Sequence, residues 1–329
     1  MKAPGFWYAR PPSVLGAVLS PLGLAYGAAT ALRQRRAVPI DAGVPVVCVG
    51  NLTAGGAGKT PVVIDLVRRL AAKGAVPHVV SRGYGGAAES APRRVDAASD
   101  TADAVGDEPL MMSRTAPVWV AGDRPAAARA AVNAGAGVLV LDDGFQDPAV
   151  AKTLSVVVVD GFYGFGNGFM IPAGPLRETI RAGLARADAM VILGDDAWGV
   201  ADAARRFGPK NLPVLTARIV PGPEVARIAK VLGVAFAGIG HPEKFFRTLR
   251  DHGCRLAATQ AFPDHHPFGG AELAGLKRRA EALKASLITT EKDLMRIPED
   301  LRSDIEVLTI TLQWDDEAAL DRLLQPVKP

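Results

Sequence analysis

Apolar positions in this chain follow two different patterns, and the change comes near Pro39. Before it, "VLGAVLSPLGLAYGAATAL" (14–32) runs uncharged between Arg10 and the "RQRR" of 33–36. As a helix this stretch reaches about 28 Å, close to the ~30 Å hydrocarbon core of a bilayer. Leu15, Val18, Leu19, Leu22 and Tyr26 fall on one helical stripe, whereas Gly16, Ala17, Ser20, Gly23 and Gly27 fall elsewhere. After Pro39, short β-branched runs alternate with helical stretches. "VPVVCVG" (44–50), "PHVVSRG" (77–83), "PVWVAG" (117–122), "GVLVLDD" (137–143), "SVVVVDG" (155–161) and "AMVILGD" (189–195) read as strands. Between the first two, Val63, Leu66, Val67 and Leu70 recur at helical spacing from Lys59 to about Gly74. Apolar runs that are continuous rather than alternating, with helices between them, predict parallel strands covered on both faces.

A second series follows: "VAFAGIG" (234–240), "RLAATQAF" (255–262), "SLITTEKD" (286–293) and "IEVLTITLQW" (305–314), each taken as one strand. Pro221 and Pro223 interrupt the pattern and place a boundary near 215–225. The expectation is a doubly wound α/β domain with a mostly parallel sheet over 41–220. A smaller α/β domain covers 221–329, and residues 1–40 form a membrane-associated helix ahead of both.

Composition changes this picture in two places. Two cysteines, Cys48 and Cys254, far apart in the chain, leave no disulfide framework and fit a reducing cytosol. The net charge is +4, yet the first 40 residues alone hold Lys2, Arg10, Arg33, Arg35 and Arg36 and no acidic residue. The body is therefore slightly acidic, and no nucleic-acid partner is expected. The basic flanks and the "FWY" cluster at 6–8 suit a helix lying in an anionic membrane surface. A spanning helix is the alternative, weakened by Pro21 and three glycines. A cleaved signal would separate the chain from ATP, and an apolar helix packed on the body is the fourth placement.

Behind the first strand stands "GNLTAGGAGKTP" (50–61). Gly58-Lys59-Thr60 completes a phosphate loop, with Thr53 in place of its usual first glycine, and strand, glycine turn and helix come in the required order. Thr53, Ala54, Gly55, Gly56, Ala57 and Gly58 would present backbone N–H groups, and Lys59 would sit on the β- and γ-phosphates. Thr60 would offer its hydroxyl to Mg²⁺. A carboxylate at the end of a neighbouring strand should help hold that metal, and "VLVLDDGFQD" supplies Asp142 and Asp143 without ranking them. The loop alone leaves a kinase, a nucleotide-driven switch or chaperone, and an anchored regulatory ATPase open. Ala54 stands where partner-switching ATPases carry a lysine, and "TEKD" (290–293) has the wrong order for a guanine motif.

Nine blocks follow in order: the "FWY" segment with its apolar helix, "GNLTAGGAGKTP", "SRGYG" (81–85), "GDEP" (106–109), "LDDGFQD" (141–147), "GNGFMIPAGPLRE" (166–178), "AGIGHPEKFF" (237–246), "FPDHHPF" (262–268) and "TTEKD" (289–293). Together they resemble the tetraacyldisaccharide 4′-kinase family, the lipid A 4′-kinases of Gram-negative bacteria, as far as about residue 296. His241 departs from an expected Asn, and Ala57 from a common Thr.

The resemblance implies transfer of the γ-phosphate of ATP to the 4′-hydroxyl of tetraacyldisaccharide 1-phosphate, giving lipid IVA. It also implies work at the cytoplasmic face of the inner membrane, on an acylated glucosamine disaccharide lipid, with Mg²⁺. It makes Asp107 and His265 a catalytic dyad, with His266 able to substitute. Arg177 would be a fork for phosphate and Glu178 a carboxylate near metal or acceptor, while Arg82, Tyr84 and Arg124 would hold the substrate. The chain is expected to act as a monomer.

Overall fold

The structure, a computed structural model, describes residues 4–83 and 91–327. Eight strands come first: β1 (Val46–Gly50), β2 (Pro77–Ser81), β3 (Arg93–Arg94), β4 (Val118–Val120), β5 (Val138–Asp142), β6 (Leu154–Asp160), β7 (Ala189–Leu193) and β8 (Val214–Pro221). Five follow: β9 (Leu232–Ala237), β10 (Arg255–Ala261), β11 (Ser286–Thr290), β12 (Ile305–Leu308) and β13 (Ile310–Trp314). They form a nine-stranded sheet, ordered β13-β8-β7-β6-β1-β5-β2-β4-β3, and a four-stranded one, ordered β10-β9-β11-β12. In the large sheet the edge strands β3 and β13 pair antiparallel, and the seven between them are parallel.

The continuous apolar runs become strands buried on both faces because alternate side chains enter two separate cores. Val47 and Val49 of β1 pack with Val63, Leu66 and Val67 of the helix Lys59–Ala72. Val46 and Cys48 of the same strand pack on the opposite face with Leu139, Leu141 and Ala127. The small sheet repeats the scheme, with Phe245, Phe246 and Leu249 on one side and Phe268, Leu273 and Leu276 on the other.

β8 occupies most of the stretch near 215–225 and joins the large sheet. One expectation needs correcting. The run 305–314 is not one strand. It breaks at Thr309: β12 ends the small sheet, and β13 crosses back to pair with β8, Ile310 opposite Pro221 and Trp314 opposite Ala217. Apolar spacing could not reveal the break, since both halves are equally suited to a strand. At the crossing, Thr309 N–H donates to Glu224, and Gly222 N–H donates to the Thr309 carbonyl at 2.9 Å. The two passages between sheets are thus bonded to each other. β13 then seats Trp314 against the helix Lys59–Ala72, its indole donating to Asp65 Oδ2 at 2.9 Å.

The N-terminal helix runs Val14–Arg36, capped by the Ser13 hydroxyl, which accepts from Gly16 N–H at 3.1 Å. Pro21 has no N–H for the carbonyl four residues back, and the Ser20 hydroxyl bonds that Ala17 carbonyl instead, at 2.8 Å. Only Gly16 and Gly23 of this helix are buried, against the 167–173 segment. Leu15, Val18 and Leu22 are 51%, 69% and 58% exposed, so the bulky stripe faces away from the body. With a mean hydropathy of 1.5, the helix is long and apolar enough to cross a membrane.

Candidate active site

β1 and β5 are neighbours, and what leaves their carboxyl ends faces one crevice, the usual ligand site of an open α/β sheet. From β1 comes the phosphate loop. Its first half is tied to the protein: Ala54 N–H donates to the Pro175 carbonyl at 2.7 Å, and Thr53 bridges to Leu176. Its second half is open. Gly55 (φ +114°) and Gly58 (φ +76°) hold conformations that L side chains rarely adopt, and a Cβ on Gly58 would meet Leu193 at 2.5 Å. The helix Lys59–Ala72 begins directly behind, so its free N–H groups and positive dipole end point into the crevice.

From β5 come Asp142 and, at φ +49°, Asp143. Asp143 is claimed by cations: Lys59 Nζ lies 3.5 Å away, and Arg177 Nη1 contacts its two oxygens at 2.9 and 3.1 Å. Burial would raise its carboxyl, but Lys59 and Arg177 outweigh burial and hold it below the usual carboxylate range. Asp142 is the opposite case. Its Oδ2 accepts from the Ser81 hydroxyl at 3.1 Å, while its Oδ1 is buried without a hydrogen-bond partner. Burial, reinforced by Glu108, pushes this carboxyl up to about 7. A buried, unpaired carboxylate oxygen near the phosphate loop fits a hard cation. Among the described residues no cluster of three His, Cys, Asp or Glu that could hold a metal by itself forms.

The other wall brings the two sheets together. Gly106 (φ +91°) turns the chain into the short helix Asp107–Met112, which starts with a nearly buried Asp107. His265, at φ +59° in the loop after β10, places Nδ1 2.9 Å from Asp107 Oδ2. His266 turns elsewhere, bonding Glu272 Oε2 at 2.7 Å and stacking on Phe262. The structure therefore pairs Asp107 with His265. Burial would raise the Asp107 carboxyl, but the His265 hydrogen bond and the charges of Lys292 and Arg296 bring it below its ordinary value. Glu108, next along, links the walls: it accepts from the Thr60 hydroxyl at 3.0 Å and from Lys292 Nζ at 2.9 Å.

The remaining expected residues divide. Glu178 is engaged by protein partners instead: it is buried, takes both Arg186 nitrogens at 2.8 and 2.9 Å, and accepts from Gln146 at 3.0 Å. Arg124 does not reach a substrate surface. It is 3% exposed and braces the strand end, donating to the carbonyls of Asp142 and Asp143 and to Asp147. Arg82 is exposed beside Asp147 at 3.3 Å, and Tyr84 lies outside the described residues. Sequence reasoning missed Glu108, Gln146, Lys292 and Arg296 as members of the site. Lys292 stood in the quoted "TTEKD", and Glu108 adjoins Asp107 in "GDEP", whereas Arg296 had no motif.

The sheet order and the loop define an α/β nucleotide-binding protein of the phosphate-loop class. The family model for Tetraacyldisaccharide-1-P 4′-kinase matches residues 15–328, and the chain belongs to that family. It is 54% identical to the tetraacyldisaccharide 4′-kinase of Rhodospirillum centenum, over 99% of this chain and 97% of that one. To the enzyme of the same name from Paramagnetospirillum magneticum it is 51% identical, over 99% of both chains. Among solved structures it shares its fold with the "apo" form of LpxK from Aquifex aeolicus in complex with ATP. That match has a TM-score of 0.75 at 23% identity and covers 96% of this chain and 100% of that one.

Proposed function

We infer that the chain transfers the γ-phosphate of ATP to the 4′-hydroxyl of tetraacyldisaccharide 1-phosphate, giving the 4′-phosphorylated lipid. The observation that carries this reading is the Asp107–His265 pair, bonded at 2.9 Å. Its Asp107 stands on the same short helix as Glu108, which bonds the phosphate-loop Thr60. A phosphate cradle is common to switches and kinases. A carboxylate–imidazole pair opposite it suits an acceptor hydroxyl that must lose a proton.

Backbone N–H groups of Gly55, Gly56 and Gly58, with Lys59, bind the phosphates and take up charge as it develops. Arg177 adds a second cation from the Asp143 side. Thr60 and Asp142 would hold Mg²⁺, which would supply positive charge to neutralise the phosphates. Asp143, already paired with Lys59 and Arg177, positions those cations. Asp107 accepts the proton of the sugar hydroxyl, and His265 orients its carboxylate and spreads the arriving charge. General-base help of this kind is worth about 10²–10⁴-fold. ATP as donor agrees with the ligand of the Aquifex aeolicus structure.

The lipid's acyl chains stay in the bilayer, so the enzyme must meet it there. The outward-facing Leu15, Val18 and Leu22, with Arg33, Arg35 and Arg36 behind them, suit attachment at the cytoplasmic face. One chain carries every residue named, so a monomer suffices.

The test is transfer of label from γ-labelled ATP to tetraacyldisaccharide 1-phosphate in mild detergent, with Lys59→Ala and Asp107→Ala alongside. Label on lipid in the wild type, lost by at least about 10²-fold in both variants, sustains the assignment. Label released only to water overturns it in favour of a nucleotide-driven switch.

A further inference from the structure

Arg296 belongs to none of the sequence motifs, and the reaction as described above does not use it. Its side chain is nevertheless only 6% exposed and fixed from three sides. Nη1 donates to the carbonyls of Gly238 at 3.0 Å and His266 at 3.2 Å, and Nη2 donates to Asp293 Oδ1 at 3.0 Å. Asp293 is itself fully buried and held by Gly238 N–H at 3.0 Å and by the Thr290 hydroxyl at 2.7 Å. What remains is Nε. It is buried, has no hydrogen-bond partner, and lies 3.4 Å from Asp107 Oδ2. The Gly238 carbonyl also accepts the backbone N–H of His265 at 3.0 Å, so Arg296 and His265 hang from one oxygen.

We propose that Arg296 is a positioning residue for phosphoryl transfer. It holds the His265 loop in register through the Gly238 and His266 carbonyls while presenting its charge to Asp107 from across the cleft. The proposal rests on the reading of Asp107 as the group that takes the acceptor's proton.

Only an arginine can do both jobs at once. Its planar fork spaces donors to two carbonyls and a carboxylate and still leaves Nε for Asp107, whereas a lysine offers one point charge. The groups facing Asp107 are His265 from the loop after β10, Lys292 at 3.7 Å from the turn Glu291–Leu294, and Arg296. Lys292 is shared with Glu108, Asp264 lies 3.8 Å from the far nitrogen of His265, and Asp293 shares Arg296. An opposite charge at such a distance favours the ionised carboxylate by about one to three pH units, so removing it should show in the acid limb of the rate.

The full-length enzyme in detergent, with ATP, Mg²⁺ and the disaccharide lipid, is measured as wild type, Arg296→Gln and Arg296→Lys. In the Gln variant the acid limb of kcat/KM for the lipid should move up by about one pH unit. Its kcat at neutral pH should fall about tenfold or more, while KM for ATP stays within about twofold because the phosphate loop is untouched. The Lys variant should keep the wild-type acid limb and lose kcat through the broken fork. An unmoved acid limb in a folded Gln variant, or a raised KM for ATP with kcat kept, overturns the proposal. If the Gln variant does not fold, the Lys variant decides: lowered kcat at wild-type KM for ATP sustains it, and wild-type kcat sinks it. Asp107→Asn separates the two readings. If that variant keeps its activity, the proton acceptor is elsewhere whatever Arg296 does.

Discussion

His265 and His266 are adjacent in sequence and separate in role, and the backbone decides between them. The positive φ of His265 sends its ring to Asp107, and the next ring packs between Phe262 and Phe268. His265→Ala should therefore lower kcat by about 10²-fold or more with little change in KM for ATP. His266→Ala should keep most of the rate and lose thermal stability, which paired steady-state kinetics and melting curves will separate. Asp147 gives a cleaner electrostatic test, because its ion-pair partners are the arginines 124 and 82. Burial would raise its carboxyl, but the Arg124 hydrogen bond outweighs burial and holds it below the ordinary value. A depressed carboxyl contributes stability above its unfolded value near 3.9 and loses it as pH falls through the lower folded value. The difference in urea midpoint between wild type and Asp147→Asn should thus be level from about pH 8 to 5 and shrink below about pH 4. Lys59 and Thr60 were legible in the sequence because a phosphate loop is contiguous. Asp107 and His265, 158 residues apart, were legible only through family resemblance, and Lys292, 184 residues from Glu108, was visible without its contact.

The helix Val14–Arg36 reverses the usual relation between bulk and burial. Its large side chains were easy to place on one stripe, since 3.6-residue spacing is local, but which stripe met the body was not legible. Glycine docks here because backbone must approach backbone: a Cβ on Gly23 would lie 2.7 Å from the Met170 carbonyl oxygen. Alanine in a helix ordinarily gains about 1 kcal/mol over glycine. At Gly23 the clash with a backbone atom opposes that gain, so Gly23→Ala should loosen the helix and speed tryptic cleavage at 33–36 while the core melts unchanged. Leu22→Glu, on the outward stripe, should leave folding intact and weaken flotation with anionic vesicles by about tenfold, the equivalent of one buried leucine. Equal flotation by wild type and variant would remove this stripe from the membrane contact.

At the scale of the whole molecule, six of the seven parallel strands of the large sheet were legible because each announces itself as a continuous apolar run, whereas β8, more exposed and mixed, was not. The return of β13 was not, because pairing with β8 is a long-range choice between two sheets that accept the same residues. That choice has a consequence for how the molecule is put together. Pro221 and Ile310 are directly opposed in an antiparallel pair, so the chain leaves the nucleotide-binding body and re-enters it at one spot. The small lobe is then a guest, and β8 with β13 is the stem on which it was grafted. Chain ends this close permit excision. Replacing 222–309 by a two-residue Asn-Gly turn closes the stem as an ordinary hairpin. The shortened chain should fold and hold labelled ATP in equilibrium dialysis, yet pass no phosphate to lipid, having lost His265, Lys292 and Arg296 together. Cradle and chemistry would then be separable parts, joined in this chain by two adjoining crossings.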